Sequence, residues 1–430
     1  MESFWYYLYN VVGIPFLYTG FCFMALVNSK VRRGIRGRKD FFKRLEEATS
    51  RLPEGGPRFW IHSSSMGEFE QAKPLIERLK ERFPRGSVIV SFFSPSVFEH
   101  VQEYKGADHL CYLPFDSRKR AERFLSLVRP DVAIVVRHDF WPNHLRQLNQ
   151  QGIPTVLINC SVQSLISHRF PLSLKIHRFF YSFFDLILTV SQEAKNICET
   201  FRLEKGRVEL VGDTRYDQVV RRAKEAEKIV APLRKFKGRR RCFVVGSTWP
   251  SDEEILFGTL HRLLRERIDV WTVLVPHEPT KERLFQIERR LSSMGLGFSR
   301  FSDLEAGGSG DGEVLVVDRV GILASLYALG ELCFVGGGFG PGIHNVLEPA
   351  ALGKVVLFGP RHKNSYEAGQ LKKHGVGFVV RNGEELYSLL LSFLKDADRL
   401  AEKGRMAADL VRENVGATAR IVNRLEDLVR

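Results

Sequence analysis

Several signatures are missing from this chain of 430 residues. No D-x-D pair follows a strand-like run, and neither H-E-x-x-H nor G-x-S-x-G occurs, so no motif stands behind metal-assisted or serine-based covalent chemistry. The absence of a G-x-x-x-x-G-K-[ST] loop sets aside the P-loop nucleotide hydrolases. The six cysteines (Cys22, Cys111, Cys160, Cys198, Cys242, Cys333) include no C-x-x-C pair. They read as reduced core residues of a cytosolic compartment, not as a disulfide or zinc framework. Acidic residues are outnumbered, 50 against 64 Lys and Arg, for a formal charge of +14. That balance favours anionic partners such as acidic lipid or phosphorylated substrates. No basic run interleaved with aromatics marks an RNA-binding surface, so nucleic acid is not expected.

Charge itself is absent from Ser3 to Ser29, where no Asp, Glu, Lys, Arg or His occurs. Such a run is long enough to cross a bilayer, which takes about 20 apolar residues. Trp5, Tyr6, Tyr7 and Tyr9 open it like an interfacial aromatic belt, and a basic run from Lys30 to Arg44 follows it. The positive-inside rule then places the rest of the chain on the cytoplasmic face of a membrane. A cleaved signal peptide fits less well: the basic flank lies on the wrong side, and no small-residue cleavage site is evident. Gly13 and Pro15 leave open an interfacial hairpin, and a buried core helix is a third alternative. In either membrane reading the basic run contacts anionic headgroups.

Beyond the anchor, short apolar runs alternate with helical periods. Strands are expected at Arg58–His62, Ser87–Phe92, Val132–Val136, Thr155–Asn159, Leu186–Val190 and Val208–Val211. A second series is expected at Cys242–Gly246, Val270–Val275, Val314–Val317, Leu332–Val335, Val355–Phe358 and Gly377–Val380. This βαβα order predicts an α/β protein with parallel sheets covered on both faces. The polar, basic stretch 224–241 reads as the boundary between halves. The expected division is therefore an anchor over 1–29, a first domain over 30–225 and a second over 226–430, with the last helix packing back on the first. Two doubly wound halves would face a cleft, and ligands bind at strand carboxyl ends.

The most informative stretch is GGGFGPGIHNVLEPAALG, 336–353. A Gly-rich turn after an apolar strand lets backbone approach a ligand, and a helix start offers N–H groups to an anion. Gly337, Gly338, Asn345, Val346, Leu347 and Glu348 are candidate nucleotide contacts; a plain strand-to-helix turn is the alternative. In WIHSSSMGEFEQAKPLIERL, 60–79, a small-residue turn delivers Glu68 to a helix start, where the dipole favours a negative charge. Glu68 is a candidate general base, with Ser65 and Gly67 beside it in the same turn; a mere helix-terminal charge is the alternative. RHDFWPN, 137–143, crowds Arg137 and Asp139 after a strand, as does a loop that only packs Trp141 and Pro142. In GDTRYD, 212–217, Arg215 could stabilise a phosphate, or form an internal Arg–Asp pair in a surface turn. GSTWPSDEE, 246–254, offers Ser247 and Thr248 to a phosphate. VPHEP, 275–279, and the turn at Val320–Gly321 end two further strands.

These segments, in this order, resemble the 3-deoxy-D-manno-octulosonic acid (Kdo) transferases of lipopolysaccharide synthesis, most of all the branch found in Bacteroidetes-type bacteria. The similarity runs from the anchor to the last helix. It implies a GT-B glycosyltransferase of two Rossmann-like domains, inverting, without metal or other cofactor, at the bacterial inner membrane. CMP-Kdo would be the donor and a lipid A precursor the acceptor. On this resemblance Glu68 matches the general base, Arg137 or Asp139 lies where the family has an acidic transition-state residue, and Arg215 lies where it has a Lys. The CMP contacts map to Pro276 and His277, to Val320, Gly321 and Ile322, and to Asn345–Glu348. The chain departs from the family at His277, commonly Arg, at Arg137, commonly a carboxylate, and at Ile322, commonly Glu. Two other readings remain: a GT-B enzyme using a UDP-sugar, transferase or epimerase, and a tethered sugar-nucleotide binding protein without turnover.

Overall fold

The computed structural model describes residues 2–162, 171–203 and 207–429. Their contacts form two compact units, Met1–Gln218 with Val415–Arg430, and Val219–Asn414.

The first unit is built on seven parallel strands: β1 (Arg58–Ser63), β2 (Ser87–Phe92), β3 (His109–Tyr112), β4 (Val132–Val136), β5 (Thr155–Cys160), β6 (Leu186–Thr189) and β7 (Arg207–Leu210). They are ordered β3-β2-β1-β4-β5-β6-β7. Both faces are covered, so alternate residues of one strand enter different cores. Phe59 and Ile61 pack with Phe69, Leu75 and Leu79 of helix Met66–Arg82, whereas Trp60 packs with Phe124 and Leu125 on the other face. The last helix, Ala417–Val429, adds Ile421, Val422 and Leu425 to the first of these cores. Asp217 fixes its start by accepting from the N–H groups of Gly416 (2.7 Å) and Thr418 (2.9 Å).

The second unit repeats the plan with β8 (Arg241–Thr248), β9 (Val270–Pro276), β10 (Phe298–Arg300), β11 (Val314–Val316), β12 (Leu332–Val335), β13 (Val355–Phe358) and β14 (Gly377–Val379). The order is β10-β11-β9-β8-β12-β13-β14. Setting the edge strand β10 aside leaves the doubly wound order of a dinucleotide fold.

Two strands escaped the sequence reading. β3 begins with half-buried His109 and Leu110, and β10 is three half-buried residues at a sheet edge, so neither shows a buried apolar run. The proposed boundary stretch 224–241 is also largely helical: helix Thr214–Val230 runs into it, and the division between units falls inside that helix. A charged stretch poor in strand formers describes a solvated helix as well as a linker.

The N-terminal segment is helical from Glu2 to Val27, with no hairpin at Gly13 and Pro15. A π-turn over Tyr9–Gly13 sits directly before Pro15, where Ile14 N–H donates to the Tyr9 carbonyl. The wider turn accommodates a proline whose ring would otherwise crowd the preceding carbonyl. Phe4–Val27 is long and apolar enough to cross a membrane by length and composition. One side of the helix touches the first unit: Tyr6 Oη donates to Asn143 Oδ1 (2.5 Å), Tyr9 Oη donates to Asp116 Oδ2 (2.8 Å), and Phe21 packs on Phe93 and Phe115. The other side exposes Phe4, Tyr7, Phe16, Phe23 and Val27.

Candidate active site

Each sheet reverses its strand order once, between β1 and β4 in the first unit and between β8 and β12 in the second. Ligands of such sheets bind outside the carboxyl ends at that reversal.

In the first unit, β1 turns through Ser64 and Ser65 into helix Met66–Arg82. Glu68 N–H donates to Ser65 Oγ (3.3 Å), and Glu68 Oε2 accepts from Ser64 N–H (2.6 Å), Ser64 Oγ (2.8 Å) and Ser65 N–H (3.2 Å). The serine run is therefore a capping box, and Ser65 has a structural role of its own. The donors converge on one oxygen and fix the rotamer; Oε1 has no partner among the described residues. Gly67 is exposed, and a Cβ there would meet nothing within 4 Å.

At the end of β4, Arg137 takes a left-handed backbone, φ 65°, and its Nε is buried without a partner among the described residues. Such strained positions cluster where the surrounding structure holds a functional group. Asp139 Oδ2 accepts from Trp141 Nε1 (3.1 Å) and lies 2.8 Å from Nε2 of His62. His62 is 2% exposed. Its Nδ1 lies 2.8 Å from Ser91 Oγ, which accepts from Trp60 Nε1 (2.8 Å). Nδ1 also lies 3.1 Å from the Ser91 carbonyl, so the ring is held from both sides. The sequence reading missed His62 and Ser91. The available signal was a histidine ending an apolar strand.

Arg215 carries its own counter-ion. Asp213, 4% exposed, accepts from Arg215 N–H (2.8 Å), Nε (2.8 Å) and Nη2 (2.7 Å). The internal Arg–Asp pair is thus present, and any service to a phosphate acts through a matched charge. Thr214 ties this turn to the Glu68 helix by donating to the Gln71 carbonyl (2.8 Å).

In the second unit, β8 bulges at Ser247, φ 53°. Two sequence expectations are corrected here. Thr248 is buried and donates Oγ1–H to Glu253 (2.8 Å), so its hydroxyl is not open to a phosphate. Burial raises the Glu253 carboxyl above its ordinary range, against the pull of Thr248 and Arg283. The Gly-rich turn, too, gives its N–H groups to protein. Asp252, fully buried, accepts from Gly337 (2.8 Å), Phe339 (3.2 Å) and Trp249 (2.9 Å). Gly337 is needed for φ 90°, and a Cβ on Gly338 would lie 2.6 Å from Gly359 backbone. Close approach of backbone to backbone accounts for these glycines.

Above this clamp stand three rings. Trp249 stacks on His277 (4.8 Å), and His277 stacks on His344 (4.4 Å). Trp249 Nε1 donates to His344 Nε2 (2.9 Å), which leaves that nitrogen unprotonated. Burial, then the neighbouring His277, push His344 down to about 4. Pro276 is buried opposite Thr248 in the ladder. Beyond the Gly-rich turn, the side chains of Val346 and Leu347 are core, so only their backbone remains for a ligand. Asn345 Oδ1 accepts from Leu347 N–H (3.0 Å), and Glu348 pairs with Arg222 (3.3 Å). Val320, Gly321 and Ile322 form the turn after β11, two strands from β8. Trp249, Asp252 and Arg222 were not singled out from sequence.

Two parallel doubly wound units define the class: a GT-B glycosyltransferase fold. Solved structures agree on the fold, among them UDP-GlcNAc 2-epimerase from Neisseria meningitidis bound to UDP-GlcNAc (TM-score 0.62, 14% identity, 86% of this chain and 100% of that one). A glycosyltransferase from Rickettsia africae is also similar (TM-score 0.57, 10% identity, covering 87% and 99%). Residues 37–218 match the family described as 3-deoxy-D-manno-octulosonic-acid transferase. The transferase of Aquifex aeolicus is 30% identical over 351 residues, 80% of this chain and 89% of the relative. That of Haemophilus influenzae is 26% identical over 411 residues, 94% of each. The chain belongs to the Kdo transferase family.

Proposed function

We propose that this Kdo transferase moves Kdo from CMP-Kdo to a lipid A precursor, with inversion and without metal, and that Glu68 is the base. The observation that carries this reading is the single-sided capping of Glu68: Oε2 is held by three donors while Oε1 is unpartnered among the described residues. Oε1 takes the proton of the acceptor hydroxyl as that oxygen attacks the anomeric carbon, and CMP leaves with the bonding pair. Asp139, steered by His62, faces the positive charge that develops on the sugar. Ser247 serves the phosphate. The ring stack and the backbone from Asn345 to Glu348 hold the cytidine. Ser65 and Gly67 border the acceptor.

The N-terminal helix is proposed to hold the enzyme on the cytoplasmic face of the inner membrane, among anionic lipids. It lies along the first unit rather than standing away from it. Supporting this, Tyr6 and Phe21 both touch that unit, although about 22 Å of helix separates them at 1.5 Å per residue.

The test is a transfer assay in detergent with CMP-Kdo and tetraacylated lipid A precursor. Wild type adds one or more Kdo masses, and folded Glu68→Gln adds them about 10³-fold more slowly. Thermal protection by CMP but not UDP separates this reading from a UDP-sugar enzyme. Transfer by Glu68→Gln at the wild-type rate would remove Glu68 as the base.

A further inference from the structure

A second site lies within the first unit. Where the N-terminal helix meets the unit there is a pocket of about 470 Å³. Phe21, Cys22 and Phe115 give it an apolar wall. The charged part of its lining is basic: Arg38, Lys39, Lys43, Arg120 and Arg123, against the lone acid Asp40. None of these five cations forms an ion pair among the described residues.

Arg38 is the most telling of them. Its guanidinium donates to three carbonyl oxygens, those of Leu113 (2.8 Å), Phe93 (2.8 Å) and Gly34 (2.9 Å). It also stands over the rings of Tyr112 (4.6 Å), Phe93 (4.8 Å) and Phe115 (5.0 Å). Burial lowers it to about 10. A cation withdrawn from water without a carboxylate is costly unless an anion completes its surroundings. Here four further cations surround the same space, and their mutual repulsion adds to that demand.

We infer that this pocket holds the headgroup of one anionic bilayer phospholipid, its phosphate among the cations and the root of one chain against Phe21 and Phe115. The inference rests on the reading that the N-terminal helix lies at a membrane. A phosphodiester fits the observations better than a free anion, because much of the lining is apolar, and Tyr18, Phe21 and Cys22 in it belong to the helix whose outer face is exposed. It also fits better than the acceptor: the space suits one headgroup, not a bisphosphorylated disaccharide with its chains. The bound lipid would tie the helix to the unit from the membrane side.

The full chain is placed in nanodiscs of phosphatidylcholine with phosphatidylglycerol, and lipids retained on release are counted by native mass spectrometry. We expect one phosphatidylglycerol per chain, retained about tenfold over phosphatidylcholine, a margin of about 1.4 kcal/mol. Arg120→Glu/Arg123→Glu, both exposed, removes the preference, as does Lys39→Glu/Lys43→Glu. Both variants still float with pure phosphatidylcholine vesicles, because the apolar helix is intact. Equal retention of the two lipids by wild type overturns the proposal, as does a preference unchanged in both variants. Displacement of phosphatidylglycerol by purified acceptor gives the pocket to the acceptor instead. Wild type that floats with no vesicle at all defeats the membrane reading itself, and the pocket proposal with it.

Discussion

The two units share a strand order and use their acids in opposite ways. In the second, Asp252 and Glu253 are buried and face inward, one binding three backbone N–H groups and the other a threonine and an arginine. What remains at the strand ends is a stack of rings. In the first, Glu68 is half-buried with one oxygen unpartnered among the described residues, and Asp139 is 23% exposed at the end of a buried hydrogen-bonded chain. A buried, fully satisfied carboxylate makes a rigid clamp. A carboxylate fixed on one side only keeps a lone pair for a reacting group. The same fold thus supplies a stiff holder and a poised base, and the difference lies in which way the acids point.

The comparison breaks most readily at Glu68. Gln can still accept from the Ser64 and Ser65 donors, so the capping box survives, but it cannot take a proton. Kdo transfer by Glu68→Gln is expected to fall by about 10³-fold, within the span of general-base contributions, with CMP protection unchanged. Asp139→Asn should follow with a loss of about 10²-fold, since it removes charge at the developing cation while leaving Trp141 an acceptor. Equal transfer rates in Asp139→Asn and wild type would leave His62 and Asp139 as core packing alone.

In the second unit the corresponding change acts on stability. Asp252→Asn places an amide NH₂ among N–H donors and should lower that unit's stability by about 2–3 kcal/mol, as for a hydrogen-bonded buried charge. Denaturant unfolding measures this. CMP affinity should fall in step, because the Gly-rich turn loses its tether. Loss of transfer with stability and CMP binding intact would instead make Asp252 a reacting group and erase the contrast between units.

His344 gives a pH test of the ring stack. Its folded pKa, near 4, lies below the ordinary 6.5. Between those values the unfolded chain binds more protons, so stability rises with pH there and is lost on acidification. Wild-type melting temperature should therefore drop as pH falls from 6.5 to 4, and His344→Gln should show a shallower drop. Parallel curves for the two proteins would mean that His344 is solvated and the stack loose.

Most of this architecture was legible from the chain. The strands beside each reversal are buried on both faces, so they read as unbroken apolar runs, and the motifs at their ends fall where a doubly wound sheet binds ligands. What was not legible depends on packing between distant segments. Asp252 looks like an ordinary acidic helix start, yet it bonds residues more than eighty positions away. The glycines of 336–342 looked like room for a ligand because sequence does not show Gly359 lying against Gly338. His62 looked like a strand terminus because its partners come from elsewhere, Ser91 from β2 and Asp139 from the loop after β4.

The finest test concerns Gly67. It is helical, exposed, and open to a Cβ, so nothing among the described residues requires a glycine. Gly67→Ala should hold or raise stability, by up to about 1 kcal/mol from helix propensity. If the acceptor sugar passes over the first turn of this helix on its way to Glu68, the added methyl raises the KM for lipid several-fold and leaves CMP protection untouched. The Glu68 side would then need an open surface just as the Asp252 side needs a closed one. An unchanged KM in the stabilised variant would remove Gly67 from the acceptor path, while leaving Glu68 as proposed.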